Sequence, residues 1–253
     1  MPVRAVLFDL GNTLWHIPNP PPVQKVREET VGRIFGLLRS WGVEPQGELR
    51  FMGRDIRLAI TAADKAAYED DAVSPDFHEI VGKVAAERGL SLTNEQIEQL
   101  WHAWNLPGSF FGRRLHDDAI ETLETLRSGG YRLGCVTNRP FSGPGFFAEV
   151  EELGLDGYFE ALSISCDVGY MKPHRAIYEH ALDALAVAPD EAAMVGDSLR
   201  ADVAGAQALG MIGIWRRPHK PLQETVTAEP DYAIDELGEL LHLPPFSDLQ
   251  AAK

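Results

Sequence analysis

The chain is poor in cysteine and in basic side chains. Cys135 and Cys166 are its two cysteines, too few for a disulfide framework, and neither lies in a CxxC or a Cys/His metal-ligand spacing. We interpret both as reduced, buried thiols. Lys and Arg number 23 against 38 Asp and Glu, which gives a formal net charge of −15. Because this charge repels phosphate backbones and anionic lipid, we predict no nucleic-acid or membrane partner.

Long hydrophobic runs are also missing. No stretch approaches the roughly 20 apolar residues of a membrane span, and the N-terminus lacks a basic segment followed by an apolar stretch and a cleavage site. We therefore expect a cytoplasmic protein. With 253 residues, 45% of them hydrophobic, the chain can bury a sizeable core.

Short apolar segments alternate with amphipathic helical segments at the start of the chain and again after residue 112. Strands are predicted at 3–8, 131–136, 162–165, 192–195 and 212–215, and helices at 117–128, 145–153, 174–186 and 200–209. Such alternation, with strands that are apolar throughout, is typical of a parallel sheet covered on both faces. The prediction is an α/β fold with a doubly wound, Rossmann-like parallel sheet, built from residues 1–14 and 113–253.

Residues 15–112 have a different character. A proline cluster at 18–22 leads into four amphipathic helical patterns with no convincing strand between them. Ser74 and Pro75 predict the N-cap and first turn of the third helix, and Thr93 with Gln96 predicts a capping box for the fourth. We predict a separate helical domain inserted into the sheet domain.

Polar side chains follow the predicted strands at the edge where an open parallel sheet binds its ligands. They are Asp9 after the first strand, Thr137 and Asn138 after the second, Lys172 after the third, and Asp197 and Asp202 after the fourth. Three carboxylates repel one another unless a cation holds them ionised. Oxygen ligands without His or Cys favour Mg²⁺, which leaves room for a phosphate oxygen. With a phosphate held there, Asp9 is placed to attack phosphorus as a nucleophile.

Four motifs carry a resemblance to a known family: VLFDLGNTL, CVTN, GYMKP and VGDSLRAD, in that order. Their order and separation resemble the signatures of the haloacid dehalogenase-like hydrolase superfamily, in the subfamily whose helical cap follows the first motif. The resemblance implies that residues 15–112 form that cap. It also implies an aspartyl-phosphate on Asp9, a phosphate-binding hydroxyl on Thr137, and a lysine, Lys172, that steadies both phosphate and nucleophile. The implied Mg²⁺ ligands are Asp9, the backbone carbonyl of Gly11, Asp197 and Asp202.

The chain departs from the family pattern at Gly11. Phosphatases of this superfamily mostly carry a second Asp there, which protonates the leaving group and activates water, and a general acid of this kind contributes roughly 10²–10⁴-fold. We predict a Mg²⁺-dependent phosphomonoester hydrolase that acts on a small phosphorylated metabolite. Two alternatives stay open: a 2-haloacid dehalogenase with the same Asp nucleophile, and a non-catalytic protein that binds phosphorylated metabolites.

Three basic side chains near these motifs have open roles. His16 lies shortly after the missing acid and could supply a proton near neutral pH, although a lone His is more often a packed or surface residue. Arg113 lies where the chain returns from the helical insertion, and Arg139 directly follows CVTN. Arginines in these places suit anionic substrates, while solvated linker charge is the commoner explanation.

Overall fold

The computed structural model of the protein describes residues 2–218, 228–247 and 249. Within them, six strands form one parallel sheet in the order β5-β4-β1-β6-β7-β8. The strands of the sheet are β1 (Ala5–Phe8), β4 (Arg132–Thr137), β5 (Ala161–Ile164), β6 (Ala192–Gly196), β7 (Ile212–Arg216) and β8 (Tyr232–Ile234). The predicted doubly wound sheet is confirmed, with β8 as an edge strand that the sequence analysis did not anticipate.

Helices cover both faces of the sheet because each strand is apolar on both sides. The helices of the sheet region are α6 (Ala119–Ser128), α7 (Pro144–Glu152), α8 (Ser165–Val168), α9 (Arg175–Ala184) and α10 (Gly205–Gln207). Leu123 of α6 and Phe146 of α7 belong to one buried cluster, and Ile177 of α9 to another. All four side chains of β1 are buried between these two layers, which fixes the sheet as the centre of the molecule.

The predicted helix at 200–209 is not a regular α-helix. Leu199–Ala204 form a π-helix that continues into α10. Short 3₁₀ turns lie at Pro189–Glu191, Leu237–His242 and Pro244–Phe246. A π-helical turn leaves no separate mark in the apolar pattern, and such turns occur often at functional sites.

Residues 23–111 contain the helices α1 (Val23–Ser40), α2 (Met52–Glu69), α3 (Phe77–Glu87), α4 (Asn94–Trp104) and α5 (Gly108–Phe111), with a 3₁₀ turn at Gly47–Phe51. The first four of these helices share a buried apolar cluster. The capping box of Thr93 and Gln96 is confirmed. The prediction of Ser74 as the N-cap and Pro75 in the first turn is wrong: α3 begins at Phe77 and Asp76 caps it, while the Ser74 amide donates to the Gly169 carbonyl.

A short antiparallel hairpin joins the two parts of the chain. Strand β2 (Trp15–His16) pairs with β3 (Arg114–Leu115), so the segment that leaves the sheet region lies beside the segment that returns to it. Two-residue strands are too short to show a periodicity, which is why the expectation of helices alone after residue 14 missed them. The proposed division at residues 14/15 and 112/113 passes through this hairpin and stays a prediction.

Two further findings concern the cysteines and the membrane. Cys135 is buried as interpreted, whereas Cys166 is only partly buried, and both are free thiols. Burial raises the pKa of the Cys166 thiol to about 12. Among the described residues, no helix combines the length and the apolar character needed to cross a bilayer.

Candidate active site

The side chains predicted from the strand ends meet in one cavity. Asp9 directly follows β1, Thr137 is the last residue of β4, and Asp197 directly follows β6. These three strands are neighbours at the centre of the sheet, so their carboxyl ends open at the same edge. A cavity of about 450 Å³ there is lined by Asp9, Gly11, Thr137, Asn138, Lys172, Asp197 and Asp202, together with other side chains.

Lys172 joins two of the carboxylates. Its Nζ donates to Asp9 Oδ1 and to Asp202 Oδ1, each at 2.7 Å. The Lys172 side chain is only 3% exposed. Burial alone would lower the pKa of the ammonium, but the carboxylates of Asp202 and Asp9 outweigh this effect and raise it. Lys172 is therefore a permanent positive charge at the bottom of the cavity.

The three aspartates form the one cluster of potential metal ligands found among the described residues. One carboxylate oxygen from each of Asp9, Asp197 and Asp202 lies within 4.8 Å of the others. Burial, followed by the charge of Asp9, raises the pKa of Asp197 to about 7, and burial raises that of Asp202 to about 6. The cluster resists full ionisation as it stands, and a cation would remove that resistance. A set of carboxylate oxygens without His or Cys suits a hard divalent cation.

Neighbouring groups contact two residues of this carboxylate cluster, Asp197 and Asp202. Asn12 Nδ2 donates to Asp197 Oδ2 at 3.1 Å, and the Trp215 indole donates to the Asp197 carbonyl at 2.9 Å. The Ser198 amide donates to Asp202 Oδ2 at 2.9 Å. The Asp202 carboxylate also packs so closely on Gly196 that a Cβ at that position would overlap it. The Asp197 and Asp202 carboxylates are thus each held by a hydrogen bond from a neighbouring residue.

Arg216 packs under the loop after β1 and stabilises the position of Asn12. It is fully buried, donates to the Asn12 carbonyl at 2.9 Å and lies 3.1 Å from His116 Nδ1. Asn12 itself adopts a left-handed backbone conformation with φ of 54°. Sequence analysis missed the roles of both residues: Asn12 stands in the first motif but was given no contact there, and only the folded chain brings Arg216 of β7 under this loop.

Thr137 and Asn138 have different environments in the cavity wall. Thr137 is buried and lines the cavity, where its hydroxyl could bind an anion. The Asn138 side chain forms two hydrogen bonds to the backbone of Lys172, with Nδ2 donating to the carbonyl at 2.9 Å and Oδ1 accepting from the amide at 2.7 Å. Asn138 therefore fixes the position of Lys172, and its predicted contact with phosphate stays a prediction.

Gly11 leaves open space next to Asp9. A Cβ at Gly11 would have Asp9 Oδ2, at 4.0 Å, as its nearest neighbour outside the adjoining residues. A Cβ would therefore fit at this position, where the sequence supplies no side chain. His16, the other possible proton donor, lies with its Nδ1 3.2 Å from His116 Nδ1, in the hairpin that joins the two parts of the chain.

A group of charged and aromatic side chains completes the cavity. Arg113, Arg139 and Trp15 line it, and the guanidinium carbons of the two arginines lie 4.7 and 5.4 Å from the Trp15 ring centre. Both arginines bond to the carboxylate of Glu149, which is 5% exposed. Sequence analysis named both arginines as side chains suited to an anionic substrate, but it did not identify Trp15 or Glu149. Glu149 was missed because an acidic residue in a helix normally indicates a solvated face.

Comparison with known proteins agrees with this geometry. A sequence profile for "haloacid dehalogenase-like hydrolase" matches residues 3–210. The chain is 31% identical to a ribulose-1,5-bisphosphate 5-phosphatase from Halopiger xanaduensis, over 94% of this chain and 98% of that protein. It is 35% identical to a glyceraldehyde 3-phosphate phosphatase from Methanopyrus kandleri, over 94% of this chain and 96% of that protein.

Solved structures show the same fold. A HAD phosphatase from Thermococcus onnurineus superposes with a TM-score of 0.56 at 27% identity, covering 95% of this chain and 97% of that one. A 2-haloacid dehalogenase from Pseudomonas syringae superposes with a TM-score of 0.52 at 24% identity, covering 99% of both chains, which is evidence for the fold alone. On the family profile and the relatives together, the chain belongs to the haloacid dehalogenase-like hydrolase family and is a hydrolase.

Proposed function

We propose that the chain is a Mg²⁺-dependent phosphomonoester hydrolase that forms an aspartyl-phosphate on Asp9. The observation that carries the proposal is the position of the Lys172 ammonium, 2.7 Å from both Asp9 and Asp202, beside a third carboxylate from Asp197. An enzyme that attacks carbon has no need of a metal site, whereas phosphoryl transfer depends on cations that offset the charge of the phosphate. This cluster therefore favours attack on phosphorus.

The chain's own residues supply the nucleophile and the phosphate-binding groups of both half-reactions, and the protons are exchanged with solvent. A carboxylate oxygen of Asp9 attacks phosphorus and the ester P–O bond breaks, which gives the aspartyl-phosphate and releases the alcohol. Water then attacks the same phosphorus and the bond to the Asp9 oxygen breaks, which releases inorganic phosphate. In this proposal Lys172 and the Thr137 hydroxyl bind the phosphate oxygens, and Asn138, which forms two hydrogen bonds to the Lys172 backbone, holds Lys172 in position.

The carboxylates of Asp9, Asp197 and Asp202 and the carbonyl of Gly11 would hold the metal. When bound, Mg²⁺ neutralises the carboxylates and the phosphoryl oxygens. Because Gly11 offers no proton, the leaving alcohol takes its proton from solvent. We therefore expect good leaving groups to react much faster than simple alcohols.

Residues 15–112 would act as a cap over the cleft. Tyr68 of α2 lines the same cavity as Asp9, and the backbone at 72–74 pairs with the segment that precedes Lys172, where the Met171 amide donates to the Ala72 carbonyl at 2.7 Å. A cap that contributes to the cavity wall can exclude water and select the substrate. The two relatives named above act on small phosphorylated metabolites, and we propose a substrate of that class.

The test is hydrolysis of p-nitrophenyl phosphate and acetyl phosphate by the purified protein, with Mg²⁺ and with EDTA. Both substrates have good leaving groups, so the missing acid matters least for them. We expect release of phosphate that needs Mg²⁺ and is abolished in Asp9→Asn. The matched control is Asp183→Asn, which makes the same change at an exposed position of α9 and should keep wild-type turnover.

Other outcomes would point to the alternatives. Chloride release from 2-chloropropionate that persists in EDTA would identify a dehalogenase. Binding of inorganic phosphate without turnover of any ester would identify a non-catalytic binding protein. Wild-type activity in Asp9→Asn would contradict the nucleophile assignment.

A further inference from the structure

The cavity contains two arginines that the phosphoryl chemistry does not use. Arg113 immediately precedes β3, and Arg139 lies two residues after Thr137. The Arg139 Nη2 donates to Glu149 Oε2 at 3.1 Å, and Arg113 forms an ion pair with the other oxygen of the same carboxylate. One acidic group therefore serves two guanidinium groups, and the cluster keeps one positive charge in excess.

This excess charge is held in a mostly buried place. Glu149 and Arg139 are 5% and 7% exposed, whereas the Arg113 side chain is 14% exposed and lines the cavity. Burial lowers the pKa of Arg113 to about 10, and burial together with the charge of Arg113 lowers that of Arg139 to about 9. A buried cation without a full counter-charge is costly, and an anion bound at Arg113 would remove this cost.

The orientation of Arg113 is fixed in advance. Its guanidinium carbon lies 4.7 Å from the Trp15 ring centre on one side, and Glu149 holds one of its terminal nitrogens. A planar guanidinium fixed in this way can bind a carboxylate or phosphate with little loss of side-chain entropy. The other cation of the cleft, Lys172, already bonds to Asp9 and Asp202, so the two positive charges have separate tasks.

We propose that Arg113 binds a second anionic group of the substrate, so that the preferred substrates are phosphomonoesters that also carry a carboxylate or a second phosphate. This inference rests on the proposed phosphatase function. Arg139 and Glu149 are positioning residues that keep Arg113 facing the cavity. A carboxylate and a second phosphate share the same chemistry here, because each is an anion a few bonds away from the ester oxygen.

The experiment compares kcat/KM for pairs of esters that differ in the second anion alone. Ethyl phosphate is paired with 2-phosphoglycolate for the carboxylate arm, and propyl phosphate with 1,3-propanediol bisphosphate for the phosphate arm. The proteins are wild type, Arg113→Met, Arg113→Lys and the control Arg114→Met, which removes the same charge from an exposed neighbour. Comparing variants within a pair cancels the small difference in leaving-group pKa.

We expect wild type to favour the dianionic member of at least one pair by roughly 10- to 100-fold, the contribution of one charge-assisted hydrogen bond. Arg113→Met should lose most of this ratio, chiefly through KM. Arg113→Lys should retain part of the ratio and Arg114→Met all of it. The arm with the larger ratio identifies the second anion as carboxylate or phosphate.

Two results would overturn the proposal while leaving the phosphatase function intact: equal kcat/KM within both pairs for wild type, or an unchanged ratio in Arg113→Met. If Arg113→Met fails to fold, Arg113→Lys carries the comparison, and an unchanged ratio in Arg113→Lys would then overturn the proposal, as would equal kcat/KM values for wild type. If wild type hydrolyses no ester at all, the proposed function fails. In that case, calorimetric titrations compare the affinity for 2-phosphoglycolate with that for ethyl phosphate, which tests the anion site alone. Equal affinities would refute this site.

Discussion

Replacing Gly11 by aspartate would supply the proton donor that the cleft lacks. Gly11 lies two residues after Asp9 in the wall of the cavity, and the nearest atom to an added Cβ is Asp9 Oδ2 at 4.0 Å. Gly11 is not among the glycines with positive φ, so an added Cβ there meets neither a clash nor the strain of a left-handed backbone. Gly11→Asp therefore tests the chemistry of the missing acid with little disturbance of the fold.

The expected gain depends on the leaving group. A general acid contributes roughly 10²–10⁴-fold when the departing oxygen must be protonated. We expect kcat/KM for ethyl phosphate to rise by about 10²-fold or more, and that for p-nitrophenyl phosphate to change little, because nitrophenolate departs without a proton. The added carboxylate also increases the negative charge near Asp9, so the measurement needs saturating Mg²⁺.

The assay is a series of aryl and alkyl phosphates of increasing leaving-group pKa, with kcat/KM measured for wild type, Gly11→Asp and Gly11→Asn. Wild type should show a steep fall in rate as the leaving-group pKa rises, and Gly11→Asp a shallower one. Gly11→Asn has nearly the same shape but cannot donate a carboxylic proton, so it should keep the wild-type slope. Equal slopes for the Asp and Asn variants, with both proteins folded, would refute the reasoning.

Three further predictions follow from the geometry around the carboxylates. Gly196→Ala should lower Mg²⁺ affinity, measured by calorimetry, because the new Cβ overlaps the Asp202 carboxylate. Arg216→Met should lower the free energy of unfolding by about 1.5–3 kcal/mol in a denaturant titration, because the hydrogen bond from the charged Arg216 guanidinium to the Asn12 carbonyl is lost. The pKa values of Asp197 and Asp202 are raised from an ordinary value of 3.8 to about 7 and about 6. These two carboxyl groups thus bind more protons in the native state than in the unfolded state between about pH 4 and pH 7. In EDTA, Tm should fall as pH rises through this window. Mg²⁺ should raise Tm more at pH 8 than at pH 5. An equal rise in Tm at the two pH values would contradict the raised pKa values of Asp197 and Asp202.

The sheet and the strand-end residues are predictable because each depends on a local pattern. A four-residue apolar segment such as Ala5–Phe8 is buried on both faces, and the rule that ligands bind at the carboxyl ends of parallel strands then brings Asp9 and Asp197 together without knowledge of the strand order. The structure places β1 beside β6, which no local pattern encodes.

The residues that the sequence could not assign are those whose role depends on distant neighbours. Glu149 has the pattern of a solvated helical acid, and only the approach of Arg113 and Arg139 from two other segments explains its burial. Asn138 stands beside Thr137 in the motif, yet its amide bonds to the backbone of Lys172. A motif gives the residue type that the chemistry needs, while the direction of each side chain is set by tertiary contacts.

The charges of the cleft imply that metal and phosphate bind together. Asp9, Asp197 and Asp202 carry three negative charges when ionised, and the ammonium of Lys172 offsets one of them. Two negative charges remain within this group around Asp9, apart from the arginine cluster at the other wall, and one divalent cation neutralises these two charges, which otherwise repel a phosphate dianion. We therefore expect inorganic phosphate to bind measurably in MgCl₂ and at least roughly 10-fold more weakly in EDTA, since each 1.4 kcal/mol of repulsion costs a factor of ten. Calorimetric titration of Asp9→Asn, in which turnover cannot intervene, measures the phosphate affinity with and without Mg²⁺. Because this variant lacks one of the three carboxylates, the ratio of the two affinities is a lower limit for wild type. Equal affinity with and without Mg²⁺ in both wild type and Asp9→Asn would show that Lys172 and Thr137 suffice to hold the phosphate, and that the three carboxylates do not act on it through a metal.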